Sequence, residues 1–104
     1  MGRYNIREAN SRLDDALFKA LCDASSARDR LSSGERRGVV TAREYLARAE
    51  LHLHSVDVAD ILRHNRQRKA DRLGLRFLVT KEIVSDLVEL IREVEEKGTV
   101  PGGT

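Results

Sequence analysis

The stretch IREANSRLDDALFKALCDASSARDRL, residues 6–31, decides the fold class. Ile6, Leu13, Leu17, Ala20, Ala24, Ala27 and Leu31 follow one another at alternating steps of three and four, with Asn10 at the single polar step. That spacing keeps one stripe on one side of an α-helix and marks a helix packed lengthwise on a neighbour. Phe18 and Leu21 widen the stripe, and Cys22 beside them is expected to behave as a small buried hydrophobe. Asn5 stands where an N-cap is needed, with Glu8 three residues on to close a capping box. Ser32, Ser33 and Gly34 end the helix.

Working outward, residues 34–40 read as a loop, and Thr41 with Glu44 reads as the capping box of a second helix, Val40 stapling onto Tyr45. Ala42, Tyr45, Leu46, Ala49, Leu53 and Val56 share one side of it. Val58, Ala59, Ile61 and Leu62 then fall on the opposite side. Either the helix continues against a different partner, or it stops near Ser55 and a new helix begins. Residues 63–69 contain no apolar side chain, and Gly74 reads as a C-cap after Ala70 and Leu73. Leu75–Val79 reads as an extended connector, and Thr80 as the cap of a last helix with Val79 stapled to Val84. Ile83, Leu87, Leu90 and Val94 form its seam, flanked by Val84, Val88 and Ile91; Glu82 lies in its first turn, Lys97 in its last, and Gly98 stops it. The expectation is an all-α fold: a small antiparallel bundle of three or four helices, completed by oligomerisation. Residues 1–98 form its single domain and 99–104 a flexible tail.

Composition agrees with that class and narrows the functions. The 104 residues are 40% hydrophobic but only 4% aromatic, so Leu, Val, Ile and Ala must build the core. No run approaches the roughly 18 apolar residues of a membrane span, and the amino-terminal residues lack the apolar core of a secretory signal. With one cysteine there is no internal disulfide to form. These features lead us to expect a cytoplasmic protein with no membrane partner, no metal and no cofactor.

Charge is distributed unevenly. Residues 63–76 carry six basic and one acidic residue, while 77–104 carry three basic and six acidic ones. Arg63, Arg66, Arg68, Lys69, Arg72 and Arg76 form the kind of cluster that neutralises phosphates. No aromatic residue lies among them to stack on bases. The alternative is a solvated stretch balanced by the acidic helix that follows. Ala70, Gly74, Leu75 and Ile83 have the spacing of a helix-turn-helix, although Glu82, Asp86, Glu89 and Glu93 on the would-be recognition helix would be repelled by phosphate.

Histidine raises an enzymatic alternative. On a straight helix over 41–73, Glu50, His54, Asp57, Asp60 and His64 would share a face able to bind a metal or move protons. Arg48 and His54 stand at Arg-x5-His spacing, which resembles the active motif of the HEPN ribonucleases, a helical RNA-cleaving family. The resemblance spans seven residues and implies phosphate contact by Arg48 and cleavage chemistry at His54. The preferred reading has no catalytic residue. It is a helical interaction protein, self-associating or serving as a small subunit, with an interface at Leu13, Leu17, Ile83, Leu87, Leu90 and Val94. A nucleic-acid-binding regulator using residues 63–76 is the alternative, and a HEPN-like or metal-dependent enzyme the third reading.

Overall fold

The computed structural model describes residues 3–97, and among them every element is helical. Three long helices, α1 (Ile6–Ser32), α2 (Arg36–His54) and α4 (Gln67–Lys97), are joined by tight turns and one short helix, α3 (Val58–Arg63). The all-α class follows the sequence reading. The tail over 99–104 and the stop at Gly98 lie outside the described residues.

The first helix forms as its spacing requires. Asn5 Oδ1 accepts from the Glu8 backbone N–H at 3.1 Å, while the Glu8 carboxylate turns forward to Arg12 at 2.8 Å instead of closing a capping box. Leu13, Leu17, Ala20, Ala24, Ala27 and Leu31 are buried, and the stripe begins at Ala9 because Ile6 is exposed. Small alanines on this stripe let α2 approach closely. The two helices run antiparallel, with His52 Nε2 3.3 Å from Asp23 Oδ2 between them. Cys22 is exposed, contrary to expectation, because it sits beside the buried stripe and not on it.

The second helix starts at Arg36, five residues before the expected Thr41 cap. Gly34 makes the turn at φ +73°, a conformation that suits glycine. Gly38 lies inside α2. A Cβ there would strike the Arg30 carbonyl and Ser33 Oγ, so this glycine permits close approach and does not mark a loop. Thr41 Oγ1 donates to the Arg37 carbonyl within the helix, and Val40 is exposed while Val39 enters the core.

Helix α2 ends at His54, so the phase break marks a true stop. Asp57, not Ser55, caps α3, accepting from the Asp60 N–H at 3.1 Å. The largest departure comes next. Residues 67–97 form one unbroken helix, so Gly74 is no C-cap, 75–79 no connector and Thr80 no N-cap. Thr80 is buried, and its hydroxyl donates to the Arg76 carbonyl at 2.8 Å. Read through, Leu73, Phe77, Thr80, Val84, Leu87, Ile91 and Val94 make a continuous three-four stripe facing the core. The helix-turn-helix fails because it has no turn. Glu82 belongs to the middle of α4, not to a first turn.

Helix α4 runs antiparallel to α2. Arg43 pairs with Glu95 at one end, and Leu53 and His54 lie against Phe77, Lys81 and Val84 at the other. It therefore runs parallel to α1. The molecule measures 55 × 24 × 18 Å with a radius of gyration of 16.3 Å, against about 13 Å for a compact domain of this length. So elongated a slab leaves long helix faces outside its own core.

Candidate interaction surface

Four of the six proposed interface residues are consumed by the fold itself. Leu13, Leu17, Leu87 and Val94 lie in the chain's own core, Leu90 is half-buried against it, and only Ile83 is exposed. The reason is a rotation of the stripe: on α4 the core-facing residues are Val84, Leu87, Ile91 and Val94, which places Ile83 on the outer side.

The outer side of α4 carries a second apolar stripe. Leu75 is 63% exposed, Val79 47% and Ile83 38%, at four-residue steps, with Leu78 beside them at 61%. At about 100° per residue this stripe lies roughly 120° round the helix from the core stripe. Helix α1 extends it. Arg76 Nη1 donates to Asp14 Oδ1 at 2.6 Å, across 62 positions. Because the helices are parallel, the same offset brings Leu21 level with Ile83 and Phe18 level with Thr80. Phe18 and Leu21, both exposed, follow Asp14 at i+4 and i+7 and so sit on the side of α1 that borders α4. Large apolar side chains gathered on one face carry more meaning than the same residues scattered. Reading 75–79 as a connector hid this stripe. The signal was the i, i+4, i+8 spacing of Leu75, Val79 and Ile83.

The basic cluster is divided by the structure. Arg63 bonds Asp60 at 2.7 Å and Arg76 bonds Asp14, whereas Arg66, Arg68, Lys69 and Arg72 are exposed and make no ion pair among the described residues. Arg68 and Arg72 precede Leu75 on the same face of α4, and Glu82, Asp86, Glu89 and Glu93 follow along it. Apart from Asp71 near its start, which accepts from Gln67 Nε2 at 2.6 Å, and Lys97 at its last position, the outer face thus reads basic, apolar, acidic from its N-terminal to its C-terminal end. The basic start opposes the helix macrodipole, which favours acids at the N-terminus, whereas Lys97 in the last turn accords with it. The first turn of α4 contains no acid at all.

The histidine stripe does not assemble. The helix break at Ser55 separates its members, and His54, Asp57, Asp60 and His64 are engaged locally. His54 Nδ1 donates to the Glu50 carbonyl at 2.7 Å and His64 Nδ1 to the Asp60 carbonyl at 2.8 Å. Asp57 caps α3 and Asp60 holds Arg63. Tyr4 stacks on the His64 ring, centroids 3.7 Å apart; desolvation, and then the charges of Asp60 and Asp57, push its phenol above the usual value. Arg48 lies over the Tyr45 ring at 5.4 Å. Six residues apart on one helix, Arg48 and His54 point about 120° from each other. Among the described residues no group of three or more His, Cys, Asp or Glu is placed to hold a metal ion, and no helix is long and apolar enough to cross a membrane.

A groove of about 290 Å³ between α2 and α4, lined by Arg43, Leu46, Glu50, Val88 and Glu95 among others, is bridged by the Arg43–Glu95 pair. Neither a protein-family model, a curated protein nor a solved structure matches the chain.

Proposed function

We propose that this chain is a non-catalytic helical interaction protein, acting as a homo-oligomer or as a small subunit of an assembly, and that its working surface is the outer face of α4 with the adjoining side of α1. One observation carries the reading: Phe18, Leu21, Leu75, Leu78, Val79 and Ile83 stand exposed along one two-helix face. Covering such a face gains about 25 cal/mol for each Å² of apolar surface removed from water.

Light-scattering mass of the pure chain, from micromolar to submillimolar concentration and with or without added DNA or RNA, tests it. The expected result is association of the protein with itself, unchanged by nucleic acid at physiological salt. A monomer that gains mass only when nucleic acid is added would overturn the reading.

That outcome defines the second reading, a nucleic-acid-binding regulator. Its support is the four exposed cations, Arg66, Arg68, Lys69 and Arg72, at the N-terminal end of α4, where the helix dipole adds to their positive field. Association of that kind would weaken with log salt by about 0.7 to 0.9 per phosphate contacted.

A further inference from the structure

We propose that the occupant of this outer face is a second copy of the chain, packed with α4 antiparallel to α4 about a two-fold axis at Val79. The inference rests on the interaction reading and names its partner.

The register follows from the order of residues along the face. With the axis at Val79, that residue meets its own copy, and Leu75 lies level with Ile83 of the other chain. Arg72 then lies level with Asp86, and Arg68 falls between Glu89 and Glu93. Each contact away from the axis occurs twice, as a two-fold interface requires. Parallel pairing would set cations on cations and carboxylates on carboxylates. The antiparallel pairing is therefore selected by charge as well as by apolar contact.

The basic start of α4 supports the same arrangement. With no acid in its first turn, that end is unfavourable within a single helix. In the pair, each basic end meets the acidic end of the other copy, and the two macrodipoles lie head to tail. The slab shape matters too. The face is a long, regular helix surface in a molecule 55 Å long, with the side of α1 that carries Phe18 and Leu21 at its border.

The test uses the full chain and three kinds of variant at exposed positions. Wild type is expected to reach twice the 11.7 kDa chain mass with rising concentration. Arg72→Glu places carboxylates opposite Asp86 on both sides of the axis and is expected to raise the dissociation constant about tenfold or more. The double variant Arg72→Glu/Asp86→Arg exchanges the partners and should restore the wild-type mass. Val79→Cys, in a Cys22→Ser background, should form a disulfide-linked dimer under a mild thiol oxidant. Leu51→Cys in the same background, at a still more exposed position but on α2, should not.

An oligomer that neither crosslinks through position 79 nor recovers in the double variant overturns the antiparallel pairing and leaves the interaction reading standing. A chain that stays monomeric at every concentration overturns the second copy. If that monomer gains mass with nucleic acid, the interaction reading falls with it.

Discussion

Asn10 and Asn65 exchange a pair of side-chain hydrogen bonds across 55 positions of sequence. Asn10 Nδ2 donates to Asn65 Oδ1 at 3.0 Å, and Asn65 Nδ2 donates to Asn10 Oδ1 at 2.9 Å. Asn65 Nδ2 also donates to the Ile61 carbonyl at 2.8 Å. The one polar step of the α1 seam therefore meets the turn between α3 and α4. An amide in an alanine-leucine stripe would be costly if left unpaired; here it locks the start of α4 onto α1.

Asn10→Leu should destabilise the fold by about 1–3 kcal/mol, because the Asn65 amide is left without its partner. The Asn10→Leu/Asn65→Leu pair should cost less than the sum of the two single changes, with a coupling of about 0.5 kcal/mol or more. Chemical denaturation of the four chains measures this. Additive effects would mean that the two amides act independently.

Glycine substitutions separate close approach from helix propensity. Gly74→Ala, whose new Cβ would meet Leu62 Cδ1 at 3.4 Å, should stabilise α4 by up to about 1 kcal/mol. Gly38→Ala should instead destabilise, because the obstruction is the Arg30 backbone carbonyl and cannot turn aside. Thermal melts with opposite shifts are the expected outcome. A loss of stability in Gly74→Ala would count against a continuous α4.

The two stripes of α4 should respond differently to a carboxylate. Leu87→Glu places an ionised group in the core and should abolish cooperative folding or cost several kcal/mol. Leu75→Glu, on the outer face, should keep the helical circular-dichroism spectrum and the melting midpoint of the isolated chain. If both variants melted alike, the assignment of the two faces would be wrong.

Arg48 and His54 should play no part in RNA cleavage. Wild type and His54→Ala are expected to leave a labelled RNA equally intact over hours. Cleavage by wild type that disappears in His54→Ala, with the fold unchanged, would restore the ribonuclease reading.

Cys22 should react readily with a thiol-specific reagent in the folded chain, since it is exposed. It should nevertheless fail to bridge two copies. At the α1–α4 offset it lies level with Val84, five residues beyond the Val79 axis. The two thiols of the pair are then separated by about 15 Å along the helix direction. Mass spectrometry after alkylation and non-reducing electrophoresis read the two outcomes.

Legible in the sequence alone were the helical class, the first helix with its Asn5 cap, and the change of phase near Ser55, though not whether the helix stops there. Each of these rests on local information: a three-four alternation, a side chain within reach of a free N–H, and a change of phase among neighbours. The sequence also displayed the separation of basic from acidic residues, which requires only counting. Tertiary structure decided what the punctuation meant. Gly38 and Gly74 have the identity of loop residues, yet both lie inside helices. Gly38 is there because a neighbouring backbone occupies the space of a Cβ, which no local pattern reveals. Thr80 has the identity of a cap, yet its hydroxyl is satisfied by the preceding turn while its other atoms fill the core. Leu75–Val79 resembles an extended segment because its apolar residues are adjacent in sequence; α4 distributes them between a buried side and an exposed one. Which aliphatic residues of α4 remain available to a partner depends on where α1 and α2 lie against it. That placement is a property of packing between helices far apart in sequence, so the outer face, with Val79 at its centre, became visible only in three dimensions.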